Sequence, residues 1–170
     1  MPTIYLALGS NLGDRARNLR RALDALAPDI QVEAVSHCYE TEPAYVLDQP
    51  RFYNLACRAQ TDLEPLAVLR RLKSLEAELG REPGQRFGPR LVDVDLLLYA
   101  DTVLDVPGLT LPHARLPERA FVLVPLEEVG AQAVHPGLGV TIAELRRRLG
   151  DTTHLLWRAP ECDRVIEGGA

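Results

Sequence analysis

The sequence predicts an α+β fold with a ferredoxin-like βαββαβ core, in which a mainly antiparallel sheet carries helices on one face. Three observations predict this fold. Two stretches place apolar residues at three- and four-residue intervals, as amphipathic helices do. Four other stretches are short and apolar or alternate between apolar and polar residues, as strands do. Their order is strand, helix, strand, strand, helix, strand, and extra helices follow at the carboxyl end.

The first half of the core begins with an apolar strand, a Gly/Ser/Asn turn and a helix, within PTIYLALGSNLGDRARNLRRALDALA. Asp14 is the expected N-cap of this helix. Its apolar positions at helical spacing are Leu19, Ala22, Leu23 and Leu26. The alternating stretch QVEAVSHCYET then predicts one strand near 31–40, and FYNLACRAQTD predicts another over about 52–62.

The second half of the core begins with a helix over about 65–79, which Gly80 ends. A Gly/Pro/Arg-rich loop, REPGQRFGPR, separates this helix from a strand over 91–99. Beyond the core we expect hairpin segments within 102–111 and helices around 118–129 and 141–149. The last stretch, ECDRVIEGGA, is expected to fray or to pair weakly.

Composition argues against nucleic-acid and membrane partners. The 19 Lys and Arg residues against 24 Asp and Glu give a formal net charge of −5, which does not suit a broad nucleic-acid surface. No apolar run approaches the roughly 18 residues of a membrane span, and no stretch has the pattern of a targeting signal. Three cysteines without CxxC spacing indicate reduced thiols. We expect a cytoplasmic monomer with one domain over 1–170.

Two aspartates stand in the most apolar run of the chain, RFGPRLVDVDLLLY. Because alternate residues of a strand share a face, Asp93 and Asp95 project together, about 7 Å apart. The predicted companions on that face are Leu91, Leu97 and Tyr99, and those on the opposite face are Val92, Val94, Leu96 and Leu98. The two carboxylates repel each other unless a cation lies between them, and Mg²⁺ prefers such oxygens. The alternative is that both simply face water on an open side of the sheet.

Basic residues flank the aspartate strand on both sides. The arginines before it are Arg81, Arg86 and Arg90, and the basic residues after it are His113, Arg115 and Arg119. Carboxylates for a metal together with arginines for phosphate oxygens are typical of phosphoryl transfer. Lys73 is the sole lysine, and the other 18 cationic residues are arginines. Arginine suits phosphate and carboxylate groups, but genome base composition can produce the same bias. No GxxxxGK(S/T), GxGxxG, GxSxG or HExxH motif is present.

Five stretches carry a family resemblance: ALGSNLGDR, YETEPAYVLDQPRFYNLA, LKSLEAELGR, RFGPRLVDVDLL and LPHARLPERAFVLVPLEEV. In order and spacing they resemble the 6-hydroxymethyl-7,8-dihydropterin pyrophosphokinase family of folate biosynthesis, and they span residues 4–129. The resemblance implies transfer of the β,γ-pyrophosphoryl group of ATP to the pterin hydroxymethyl group, with release of AMP. It also implies a ferredoxin-like fold, ATP as co-substrate and two Mg²⁺ ions as cofactors.

The resemblance implies residue roles on the nucleotide side. Asp93 and Asp95 match the pair that holds both Mg²⁺ ions. The positions implied to contact ATP are Lys73, Glu76, Arg81, Arg90, His113 and Arg119. The catalytic set joins the two aspartates with three arginines on loops expected to move and exclude water, namely Arg81, Arg86 and Arg90.

The resemblance also implies a pterin site. Phe52 and Phe121 match two aromatic residues that sandwich the ring, and Asn54 matches the amide that recognises its hydrogen-bonding edge. Stacking between rings and fixed polar partners suit a flat heterocycle. Core packing is the alternative role for each phenylalanine. The remaining implied contacts come from the loop backbone at Thr41, Pro43 and Ala44.

Two other functions use some of the same residues. A metal-dependent phosphohydrolase would use the carboxylate pair on a nucleotide and would consume ATP without a pterin. A non-enzymatic ferredoxin-like binding module would leave the paired aspartates and the clustered Arg and His residues unexplained.

Overall fold

The βαββαβ core expected from the sequence is present in the computed structural model, which describes residues 1–43, 47–80 and 91–168. The core elements and the short strand β3 are β1 (Thr3–Ser10), α1 (Arg15–Ala25), β2 (Ile30–Val35), β3 (Tyr39–Thr41), β4 (Phe52–Thr61), α2 (Pro65–Glu78) and β5 (Asp93–Tyr99). The later elements are β6 (Leu104–Val106), β7 (Leu109–Leu111), α3 (Ala120–Gly130), β8 (Val134–His135), β9 (Val140–Thr141), α4 (Ile142–Arg148), β10 (Leu156–Arg158) and α5 (Pro160–Ile166).

The main sheet has the strand order β10-β3-β4-β1-β5, and β2 also pairs with β4. Every one of these pairings is antiparallel, which confirms the predicted sheet type. The N-cap prediction is also confirmed, because the carboxylate of Asp14 accepts a hydrogen bond from the Arg17 backbone N–H at 3.1 Å. Strand β1 therefore lies between β4 and β5, and residues from all three strands meet on one face.

The strand predicted near 31–40 is in fact two strands. β2 pairs with one half of β4 and β3 pairs with the other half. Between them the Ser36 hydroxyl accepts the Ala56 backbone N–H at 2.9 Å, and the Cys38 carbonyl accepts the N–H of Ala159 at 3.0 Å. These two bonds replace the regular strand pairing over residues 36–38 and so interrupt the predicted strand. An alternating sequence does not reveal such a break.

Strand β5 contains a bulge that changes which side chains share a face. Leu6 pairs with Leu96 and Tyr5 pairs with Leu98, so that Leu97 is an extra residue on β5. As a result Leu98 packs in the core beneath α3, and Tyr99 packs in the core beneath α1 and α2. The strict alternation predicted over 91–99 is therefore wrong beyond Leu97. Asp93 and Asp95 precede the bulge and still share one face.

The two core helices α1 and α2 lie on one face of the sheet, as predicted, and the extra helices α3 and α4 cover the other face. One core joins β1, β4 and β5 to α1, α2 and α5. A second core joins the opposite face to α3 and α4. None of the helices in the described ranges is long and apolar enough to cross a membrane.

Residues 160–166 form a docked helix, contrary to the expectation that the carboxyl-terminal stretch frays or pairs weakly. β10 pairs with β3, and α5 packs into the core of α1 through Cys162, which is fully buried. The Asp163 carboxylate accepts the Cys38 backbone N–H at 2.6 Å, and Glu161 accepts the Tyr53 hydroxyl at 2.7 Å. The helix has seven residues, too few for a periodicity signal, and its stability depends on this docking.

We expect truncation after Arg158 to lower the free energy of unfolding by about 2–4 kcal/mol, because α5 buries Cys162 fully and Val165 and Ile166 in part. Urea unfolding monitored by circular dichroism measures this change. The matched control is Arg164→Ala on the exposed side of the same helix, which should change stability by less than about 0.5 kcal/mol. Equal stability of the truncated and full chains would contradict the docking.

Candidate active site

A cavity of about 560 Å³ lies where β1, β4 and β5 face the start of α3, bordered by one side of α2. Ten of the residues to which the resemblance assigns a role line it: Thr41, Phe52, Asn54, Lys73, Glu76, Asp93, Asp95, His113, Arg119 and Phe121. Arg115 lines it as well. Pro43 lines an adjoining cavity of about 440 Å³, which shares Thr41, Glu42, Arg119 and Phe121 with the first. Ala44, Arg81, Arg86 and Arg90 lie outside the described residues.

The pairing of the strands sets the distance between the two ends of the cavity. Gly9 on β1 is paired with Asn54 on β4 and with Asp93 on β5. Because neighbouring strands lie about 4.8 Å apart, the backbones of Asn54 and Asp93 are separated by about 10 Å. An amide and a carboxylate thus face the same space at a distance that matches the length of a bicyclic heterocycle with a short substituent.

Cationic and imidazole groups surround the aspartate end. The His113 backbone N–H donates to the Leu97 carbonyl at 2.9 Å, so the bulge of β5 holds this histidine at the strand edge. Arg119 has extended backbone angles at the start of α3, and its guanidinium lies 5.4 Å from the centre of the Phe121 ring. On α2, Lys73 and Glu76 are three residues apart and share a face of the helix. This end of the cavity can therefore hold phosphate groups.

The His113 side chain carries a lowered pKa. Burial is the largest cause, Arg119 and Arg115 add to it, and Asp93 opposes it. The Nδ1 atom of His113 accepts the Arg115 backbone N–H at 3.3 Å. In the neutral ring the proton is then on Nε2, so His113 can act as a hydrogen-bond donor to an anion.

Low pH should destabilise the ligand-free protein, because the pKa of His113 is lower in the folded than in the unfolded chain. Its pKa lies below the ordinary value of 6.5, so the unfolded chain binds the proton more readily than the folded one. The free energy of unfolding should therefore fall as the pH drops below about 6.5. We expect this loss to be smaller in His113→Gln, as measured by urea unfolding at pH 7.5 and 5.5.

His135→Gln is the matched control for that measurement, because burial also lowers the pKa of His135, which lies outside the cavity. The double variant should lose less stability over this pH range than either single variant. A pH dependence of His113→Gln identical to that of the parent protein would contradict the assignment.

The opposite end of the cavity offers two aromatic rings and an amide. Phe52 and Asn54 are alternate residues of β4 and line the cavity together. Tyr53, which stands between them in the sequence, packs in the core on the other face of the sheet. Phe121 stands on the first turn of α3, where it lines the cavity and also packs against the second core. The Asn54 Nδ2 atom donates to the Thr41 hydroxyl at 2.7 Å. Core packing alone therefore does not account for either phenylalanine.

Sequence reasoning missed several cavity residues, among them Gly9, Glu42, Gln49 and Thr110. Asn11, in the GSNLG turn, is buried and donates from Nδ2 to the Gln49 side chain at 2.9 Å and to the Pro50 carbonyl at 3.0 Å. This turn therefore fixes the segment that enters β4, in addition to linking β1 to α1. An asparagine within a Gly/Ser turn is the signal that the sequence offered for this role.

The donor chemistry at the aspartate end fits Mg²⁺. Among residues 1–43, 47–80 and 91–168, no three His, Cys, Asp or Glu side chains form a complete metal cage. Two carboxylates on one strand face are nevertheless a suitable protein share for Mg²⁺, which commonly takes one or two carboxylates and completes its octahedral shell with water and substrate phosphates. Asp93 and Asp95 both line the cavity and can supply those oxygens.

Comparison with known proteins identifies the family. The sequence profile of 7,8-dihydro-6-hydroxymethylpterin-pyrophosphokinase matches residues 5–131. The chain belongs to this family. The pyrophosphokinase match contains every implicated site residue and stops at the end of α3, so that α4, β10 and α5 lie beyond it.

Two bacterial pyrophosphokinases have lengths similar to this chain. The 2-amino-4-hydroxy-6-hydroxymethyldihydropteridine pyrophosphokinase of Aquifex aeolicus is 38% identical over 136 residues, 80% of this chain and 85% of that protein. The protein of the same name from Pseudomonas aeruginosa is 42% identical over 128 residues, 74% of this chain and 79% of that one.

Other pyrophosphokinase relatives are much longer. The folic acid synthesis protein of Dictyostelium discoideum is 35% identical over 96% of this chain, which spans only 26% of that protein. Across the fungal, slime-mould and plant relatives, the chain spans 20% to 26% of their length. The crystal structure of Plasmodium falciparum HPPK-DHPS with pteroate shares the fold, with a TM-score of 0.73 at 17% identity over 86% of this chain and 44% of that one.

Proposed function

We propose that this chain transfers the β,γ-pyrophosphoryl group of ATP to the hydroxymethyl group of 6-hydroxymethyl-7,8-dihydropterin, releasing AMP, as a step of folate biosynthesis. The observation that carries the proposal is the shared cavity, which has Asp93 and Asp95 at one end and Phe52, Asn54 and Phe121 at the other. The family match over residues 5–131 supports the same conclusion.

In this proposal the pterin lies between Phe52 and Phe121, with its polar edge at Asn54. The rings are half-buried, so a flat heterocycle can gain stacking contacts that water does not provide. The strand pairing then directs the hydroxymethyl group towards Asp93 and Asp95, about 10 Å from the strand position of Asn54. Orientation of the hydroxyl is the main contribution of this end of the site.

Asp93 and Asp95 would hold two Mg²⁺ ions, which supply charge neutralisation on the ATP phosphates. Arg119 and neutral His113 donate hydrogen bonds to phosphate oxygens, and Lys73 and Glu76 contact the nucleotide from α2. Arg81, Arg86 and Arg90 complete the catalytic set as phosphate ligands on the preceding loop, and Thr41, Pro43 and Ala44 complete the pterin contacts.

The reaction needs no nucleophilic side chain. The substrate hydroxyl oxygen forms a bond to the β-phosphorus, the bond from that phosphorus to the α,β-bridging oxygen breaks, and AMP leaves with the bridging oxygen. The hydroxyl proton passes to solvent. Catalysis then depends on positioning and charge neutralisation, as in other phosphoryl transfers. We further propose that the protein acts as a cytoplasmic monomer with one domain over 1–170.

A nucleotide assay with and without the pterin tests the proposal against its alternatives. With ATP, Mg²⁺ and 6-hydroxymethyl-7,8-dihydropterin, AMP should form, and omission of the pterin should abolish its formation. ATP consumption without the pterin would instead favour a phosphohydrolase. Nucleotide binding that does not depend on Mg²⁺, measured by calorimetry and without turnover, would favour a binding module.

A further inference from the structure

Gly9 is a glycine on the inner strand β1, where this residue usually weakens a sheet. It lies on β1 between Asn54 of β4 and Asp93 of β5. Its φ is outside the left-handed range, so the backbone conformation at this position is open to any residue. A strand glycine without a conformational reason often marks a close approach of another group.

That group is the side chain of Asn54. A β-carbon built on Gly9 would lie 2.6 Å from Asn54 Oδ1 and 3.5 Å from Phe52 Cδ1. The first distance is far shorter than a carbon–oxygen van der Waals contact, whereas the second is an ordinary one. The carboxamide oxygen of Asn54 therefore occupies the volume that any side chain at position 9 would need.

The nitrogen of the same carboxamide is held from the other side. Asn54 Nδ2 donates to Thr41 Oγ1 at 2.7 Å, and Thr41 is itself buried at the end of β3, where it pairs with Phe52. The Thr41 hydroxyl anchors one end of the planar amide, and the absence of a β-carbon at Gly9 leaves room for the other end. The place and the plane of the amide are thereby set before any ligand arrives.

We infer that Gly9 and Thr41 are positioning residues, which together hold the Asn54 carboxamide in the place and plane from which it recognises the polar edge of the pterin; this inference rests on the proposed function. An amide displaced from this place would leave polar groups of the bound pterin without a hydrogen-bond partner. Neither residue needs to contact the reacting phosphates for this effect.

Gly9→Ala should raise the KM for the pterin by about tenfold to a hundredfold, the effect of losing one well-placed polar contact, and should change the KM for ATP by less than about twofold. Steady-state kinetics with each substrate varied in turn measures the split. Gly130→Ala is the matched control, because its β-carbon would meet Tyr5 Cε1 at 2.5 Å outside the cavity. That control should lower thermal stability and leave the pterin KM unchanged.

A double-variant cycle tests whether Gly9 acts through Asn54. Asn54→Ala removes the amide, so adding Gly9→Ala should then change kcat/KM for the pterin by less than about twofold. The inference would be overturned if kcat/KM for the pterin fell in the double variant by the product of the two single effects. Gly9 would then act on the ligand directly or on the fold. An unchanged pterin KM in a folded Gly9→Ala protein would overturn it as well.

Thr41 provides a second test that does not depend on the folding of Gly9→Ala. Thr41→Val removes the acceptor with little change of shape and should raise the pterin KM by about tenfold, whereas Thr41→Ser keeps the hydroxyl and should restore most of the affinity. Equal effects of valine and serine would overturn the role of Thr41. Failure of the proposed function has a different signature, because no pterin diphosphate would then form even with the parent protein.

Discussion

Asp95→Ala is expected to lower kcat by about a thousandfold or more, equivalent to roughly 4 kcal/mol of transition-state stabilisation. The reason is that Asp95 shares its strand face with Asp93 and lines the cavity, so under the proposed mechanism its loss leaves one carboxylate to hold the Mg²⁺ ions. Asp95 is half-buried, and we expect urea unfolding to detect little loss of stability. The measurement is AMP formation at saturating ATP, Mg²⁺ and pterin.

Asp101→Asn is the matched control for this result. Asp101 is an exposed carboxylate in the turn that follows β5, only six residues beyond Asp95, and its replacement should leave kcat within about twofold. An Asp95→Ala protein that folds and turns over at a rate comparable to the parent would contradict the metal assignment.

Arg119→Ala is expected to lower kcat/KM for ATP by about a hundredfold, equivalent to roughly 2.7 kcal/mol, because the proposed charge-assisted hydrogen bond to a phosphate is lost. Arg119→Lys should recover only part of this loss, since an ammonium group cannot reproduce the planar fork of the guanidinium. The guanidinium also lies 5.4 Å from the Phe121 ring centre, so a smaller rise in the pterin KM should accompany the change.

The control for Arg119 is Arg147→Ala, an arginine on α4 whose side chain is 76% exposed and which lies outside both cavities. Its replacement should leave kcat/KM for ATP and the KM for the pterin unchanged. If Arg119→Ala altered only the pterin KM, the residue would belong to the pterin wall and not to the phosphate site.

Much of the fold followed from local sequence signals. The helical spacing of apolar residues in α1 and α2, the Asp14 cap and the alternation of β4 are each decided within a few residues of the chain. The shared face of Asp93 and Asp95 also followed from strand geometry alone. These features could be predicted because they depend on neighbours in sequence.

The features that the sequence did not reveal depend on distant partners. The bulge at Leu97 is set by the pairing of β5 with β1, and it places His113 through the Leu97 carbonyl. The helix α5 is stable because Cys162 and Asp163 meet the segment around Cys38, 125 residues away from Asp163. The need for glycine at position 9 arises from a side chain on β4. None of these contacts leaves a periodic signal in the chain.

The candidate site also combines residues that local sequence signals predict with residues that they do not. Strand alternation and charge repulsion lead from the residues to a carboxylate pair that attracts a cation, but the proposed ring-binding role of Phe52 and Phe121 came only from the family resemblance. Each phenylalanine alone is indistinguishable from a core residue in the sequence. In the structure, residues of β4 and of the first turn of α3 line one cavity, and this does not follow from their separate sequence patterns.

The central claim is that the two terminal phosphates of ATP move together to the pterin. The most direct test is mass spectrometry of the products formed from ATP, Mg²⁺ and 6-hydroxymethyl-7,8-dihydropterin, with the β-phosphate of ATP isotopically labelled. We expect a pterin diphosphate that carries the label at the phosphate attached to its hydroxymethyl oxygen, together with an equal amount of unlabelled AMP. Formation of ADP with a pterin monophosphate, or of AMP with free pyrophosphate and unmodified pterin, would contradict the account.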